Sequence, residues 1–129
     1  MAPLGKTDKI TWLGRGVSLL AVLPFFMSVY MKLRPNPEFA QQMAHLGLPM
    51  SLNMTLAVLE GLCIVLYLFP TTTVLGAILF TGYLGGAICT HLRVGESVYI
   101  QTLLGVLLWF GVYLREPRLR KILPLRSTP

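Results

Sequence analysis

A single carboxylate, Glu60, stands about nine residues inside an apolar run that ends LAVLEGLCIVLYLF. A charge there is costly, so it must be paired, protonated or turned toward a wet cavity, and by default it marks a site. Six further polar residues fall near the ends of apolar runs: Ser28, Lys32, Asn53, His91, Arg93 and Gln101. Together with Glu60 they form the candidate ligand-binding set. Asn53 and Glu60 are seven apart and share one helix face, while Pro24, Ser28 and Lys32 form an i, i+4, i+8 row. If the chemistry is catalytic, Glu60 and His91 are the acid and base. Lys32 and Arg93 have a second reading as basic residues that snorkel to lipid head groups. His45 and His91 lie on different segments with no carboxylate at ligand spacing, so no metal site is expected.

The elements that must position these residues follow from composition. Hydrophobic residues make up 54% of the chain and charged residues 12%, too apolar a balance for a soluble domain. Four apolar segments, about 10–33, 51–69, 73–92 and 97–114, each approach the roughly 20 residues that cross a bilayer as a helix. Backbone groups in lipid must be satisfied internally, and the segments lack the alternation of a barrel strand. The expected fold is therefore all-α, a single four-helix transmembrane domain over 1–129. Arg34-Pro35-Asn36-Pro37, Gly47-Leu48-Pro49, Pro70-Thr71-Thr72 and Val94-Gly95-Glu96 punctuate it. Between the first two spans, residues 38–46 place Phe39, Met43 and Leu46 on one stripe, which predicts a short amphipathic helix at the interface.

Helical rise of about 1.5 Å per residue puts the polar groups in one leaflet, with Lys32, His91 and Arg93 roughly 10 Å nearer the surface than Glu60. Direct contact with Glu60 is left open. A water-filled pocket, or a chain through Asn53, Ser28 and Gln101, is the alternative. The other halves of the helices read as apolar packing. Gly82, Gly85 and Gly86 form a small-residue face with a GxxxG, expected to meet a neighbouring helix of this chain or of a second copy. Cys63 and Cys89 lack redox or metal spacing and read as packed core thiols.

The net charge of +6 comes from basic residues at helix ends and in the tail 115–129, which suits a membrane surface rather than nucleic acid. Lys6, Lys9, Arg15, Arg115, Arg118, Arg120, Lys121 and Arg126 fall on one side, against Lys32, Arg34 and Arg93 on the other. Eight against three places both termini in the cytoplasm. The first apolar stretch is too long for a signal peptide and has no small-residue cleavage site.

The segments SVYMKLRPNPEFAQQMAHLGLP, LAVLEGLCIVLYLFPTTTVLGAILFTGYLGGAICTHLRVGE and LLGVLLWFGVYLREPRLR resemble the DoxX-like family of bacterial four-helix membrane proteins. The likeness runs from about Gly14 to Arg120. It carries over Ser28, Lys32, His45, Glu60, His91 and Arg93 by position. The resemblance implies architecture above all; some relatives are associated with thiosulfate:quinone oxidoreductase and others with membrane redox complexes. This chain shows no haem-ligand pair, flavin motif or paired cysteines, so no cofactor is expected, and a quinone is the candidate ligand.

Two functions of different class follow. One is an accessory subunit that binds a lipophilic, quinone-like molecule in the polar pocket, with membrane lipids and a redox protein or second copy as partners. The other is a cofactor-independent membrane enzyme, of isomerase or hydrolase type, using Glu60 and His91 on a lipophilic substrate. A transporter would call for polar groups at both faces or a repeat, and neither is visible.

Overall fold

The computed structural model describes residues 6–126, so the first five residues and the end of the basic tail lie outside it. Helices account for the architecture: α1 (Lys6–Leu33), α2 (Pro37–His45), α3 (Asn53–Leu68), α4 (Thr73–Arg93) and α5 (Tyr99–Arg115), with single 3₁₀ turns at Met50–Leu52 and Leu119–Lys121. The amphipathic segment expected at 38–46 is α2. Asn36 caps it by accepting from the Phe39 amide at 2.7 Å, and Pro37 occupies its first turn, where no amide partner is missed. Gly47 ends it at φ +73°, a left-handed conformation that favours glycine.

The principal helix contacts pair α1 with α5 and α3, and α4 with α3 and α5. The four long helices therefore close into a ring in the order α1, α3, α4, α5. One end of the bundle carries the start of α1 and the end of α5, and the other carries α2. Among the described residues three helices are long and apolar enough to cross a membrane: Lys9–Leu33, Met50–Leu68 and Thr73–Arg93. The fourth expected span, α5, is apolar but only 17 residues long, at the lower limit for a crossing helix. Large apolar side chains point outward all round, among them Leu20, Val58, Ile78 and Val106, each more than half exposed. Water tolerates no such belt on a monomer, and hydrocarbon does.

The core sits in the half nearer the termini. Phe25, Tyr67 and Phe80 pack there, Phe25 tilted against Phe80 with ring centroids 4.6 Å apart and Tyr67 edge to face with Phe80 at 5.7 Å, amid Val22, Ile64, Leu108 and Val112. Leu119, in the tail read from sequence as a simple basic flank, folds back and completes this core. Of the two thiols expected to be packed, Cys63 is buried and Cys89 is exposed. The reason is position: Cys63 lies on the α3 face shared with Glu60 and Tyr67, whereas Cys89 lies on the side of α4 turned from the ring.

The close helix approach is also elsewhere than expected. Among the described residues no neighbour lies within 4 Å of a Cβ placed on Gly82, Gly85 or Gly86. Small-residue spacing marks a flat face but does not say what lies over it, and Gly82 and Gly86 line a cavity. The tight contacts fall at Gly76, where a Cβ would stand 2.3 Å from the Tyr67 amide nitrogen, and at Gly111, 2.4 Å from Ser18 Oγ. Backbone blocks the first, so Gly76→Ala should cost about 1–3 kcal/mol through overpacking and lower the melting temperature in detergent. Gly86→Ala meets open space and should cost nothing, helped by alanine's higher helix propensity. Equal losses in the two variants would contradict this packing.

Candidate functional site

Toward the α2 end the ring is not filled. A cavity of about 530 Å³ opens there, with walls drawn from all four long helices and from α2. That volume lies within the range of small-molecule sites. Most of the wall is apolar, including Phe25, Phe39, Leu56, Leu84 and Leu104. Met43 of α2 and Leu46, which caps its end, are buried over it. Ser28, Lys32, Glu60, His91 and Gln101 of the expected set all line this one cavity.

Glu60 is 1% exposed and makes a direct ion pair with Lys32, Nζ to Oε2 at 2.8 Å. Ser28 Oγ donates to the same oxygen at 3.1 Å and the Tyr83 hydroxyl at 3.2 Å, while Lys32 Nζ also donates to Ser28 Oγ. The 10 Å gap expected from helical rise is bridged by side-chain direction. Side chains lean toward the N-terminus of their own helix. Lys32 closes α1 and leans into the bundle, whereas Glu60 on the antiparallel α3 leans back toward Lys32. Asn53 fixes the register by donating from Nδ2 to the Lys32 carbonyl at 2.7 Å. It is buried and does this from behind the cavity wall.

The remaining candidates divide. His91 Nδ1 donates to the Ala87 carbonyl at 2.7 Å, and its Nε2 lies 3.7 Å from Glu96 Oε2. Among the described residues no hydrogen bond joins His91 to Glu60. Arg93 lies outside the cavity lining and donates to the Leu46 carbonyl at the end of α2. Glu96, in the turn before α5, also meets Gln42 Nε2 at 3.3 Å and His45 Nε2 at 3.2 Å. Glu96 and Arg93 thus tie the roof helix to the α4 end. Glycine at 95, with φ +80°, supplies the sharp turn that presents Glu96.

Sequence reasoning missed Tyr83, whose ring reads as bulk in an apolar helix and whose hydroxyl partner is visible only in three dimensions. It also missed a polar cluster in the half read as apolar. Arg115 donates to Ser18 Oγ at 3.2 Å and Thr73 Oγ1 at 2.9 Å, and its guanidinium lies 5.7 Å from the Tyr67 ring centre. Tyr67 donates to the Leu108 carbonyl at 2.6 Å. A signal existed: Asn53, Glu60 and Tyr67 recur every seven residues, so a polar stripe runs the length of α3. Among the described residues no group of three or more His, Cys, Asp or Glu side chains gathers to hold a metal.

An apolar exterior on a ring of helices, with a buried ion pair inside, defines an all-helical protein of membrane type. A family model described as the DoxX-like family matches residues 16–113, and the chain belongs to that family. Searches of curated proteins and of solved structures return no match.

Proposed function

We propose that this chain crosses a bacterial inner membrane four times and binds a lipophilic small molecule, of quinone type or similar, by its polar head in the cavity beneath α2. The observation that carries the reading is Glu60: a buried carboxylate held by three donors at the floor of a cavity whose walls are mostly apolar. A structural ion pair alone needs no such space around it. The apolar wall takes the body of the molecule and the Lys32–Glu60 pair its head, the division of labour typical of small-molecule sites. The absence of an electron-carrying motif in the sequence favours an accessory role beside a redox partner or a second copy. Membrane lipids surround the outward-facing apolar belt.

A second reading has one observation in its favour. Glu60 and His91 line the same cavity, so a lipophilic substrate could meet a carboxylate and an imidazole at once, as acid–base catalysis requires. Both readings share the site and differ in whether the bound molecule leaves changed.

Glu60→Gln keeps shape and hydrogen bonding, and Lys32 keeps Ser28 Oγ as a partner, so the variant should fold. Native mass spectrometry of detergent-purified protein at matched expression is the test. The wild type should carry a small molecule that Glu60→Gln loses, together with any turnover of it. Undiminished retention by the variant would make Glu60 a packing residue. The topology rests on the eight-to-three distribution of basic residues and on α5 crossing as the shortest span. A reporter fused beyond Arg126 should be active in its cytoplasmic form, and activity only as an exported enzyme would reverse the orientation.

A further inference from the structure

The cavity's polar groups can be sorted by what they still have to offer. Among the described residues every hydrogen bond to Glu60 falls on Oε2, and none reaches Oε1. A carboxylate oxygen only accepts. The donors around it are largely committed: Ser28 and Tyr83 give their hydroxyl protons to Oε2, and Lys32 gives to both Oε2 and Ser28 Oγ. On the rim, Thr90 donates to the Gly86 carbonyl and His91 Nδ1 to that of Ala87. With Gln42 Nε2 and His91 Nε2 turned to Glu96, what remains is a charged acceptor on Glu60, one proton of the Lys32 ammonium, and the amide of Gln101. That amide lines the cavity from α5, and its buried Oε1 has no partner.

We propose that the head group this cavity takes is a hydroxyl, so that its ligand is a lipophilic alcohol or phenol, which for a quinone-type molecule means the reduced, quinol form, and not a ketone, ether or ester. This rests on the binding role assigned to the cavity above. A hydroxyl donates one hydrogen bond and accepts two. It gives its proton to Glu60 Oε1 and accepts from Lys32 or the Gln101 amide. A head that only accepts is satisfied by those donors but leaves Oε1 without a partner and sets its own lone pairs against a carboxylate. An unpaired charged acceptor against a mostly apolar wall is the costlier of the two outcomes. A cationic head is disfavoured as well, because Lys32 already neutralises the carboxylate at 2.8 Å.

The test compares two molecules of the same apolar body, 4-octylphenol and its methyl ether 4-octylanisole, titrated against the detergent-purified full chain with native mass spectrometry as the readout. The phenol should bind about tenfold tighter or more, the scale of one hydrogen bond to a charged group. That preference should shrink in Glu60→Gln, whose neutral amide makes a weaker acceptor. Equal binding of phenol and ether to the wild type overturns the inference while leaving the cavity a binding site. A phenol preference undiminished in Glu60→Gln also overturns it, since the discrimination then comes from another group. Binding of neither molecule to the wild type removes the binding reading, and this inference with it.

Discussion

A carboxylate held away from water needs a counter-charge or a proton, and the pairing of Glu60 with Lys32 meets that need across two antiparallel helices. The pair is nearly sealed, with Lys32 9% and Glu60 1% exposed, so its attraction is little screened by solvent. Removing charges from water is costly enough that such a pair rarely adds stability over well-packed hydrocarbon. Its value lies in specification. Lys32 can reach Glu60 only if α1 and α3 keep one register, and Asn53 locks that register through the Lys32 carbonyl. Tyr83 then draws α4 to the same oxygen.

From that constraint the bundle divides into unlike halves. Nearer the termini, Gly76 and Gly111 bring helices so close that a methyl group has no room, and Tyr67, Phe80 and Leu108 fill the centre without exposure to solvent. Toward α2 the glycines at 82 and 86 do the opposite. They leave space, and that space is the cavity. One residue type thus serves contact in one half and vacancy in the other. The roof helix completes the division, because α2 covers the open half through apolar contacts of Met43 and Leu46 and through side-chain ties to Glu96 and Arg93.

Much of this was legible in the residues themselves. Proline and glycine punctuation placed the helix ends, and the stripe of Phe39, Met43 and Leu46 placed α2. Glu60 announced the site because an acidic residue inside an apolar helix has few other reasons to be there. Depth counted along helix axes was less informative. It set Lys32 too far from Glu60 because it ignores the lean and reach of long side chains, which point toward each other from antiparallel helices. The GxxxG of α4 does not pack within the chain for a related reason, since spacing defines a face and only tertiary structure supplies what covers it. Tyr67, Tyr83 and Arg115 were hidden by their own amphipathic character, being apolar by bulk and polar at one end.

Lys32 and Glu60 form one interacting unit at the cavity floor, and a double-mutant cycle on thermal stability in detergent measures their coupling. Lys32→Met alone strands a buried carboxylate and should cost about 3–5 kcal/mol. In a Glu60→Gln background the same substitution strands no charge, so the loss should be much smaller and the double variant more stable than Lys32→Met alone. Losses that simply add would contradict the account, because they would show that the two residues stabilise the fold independently.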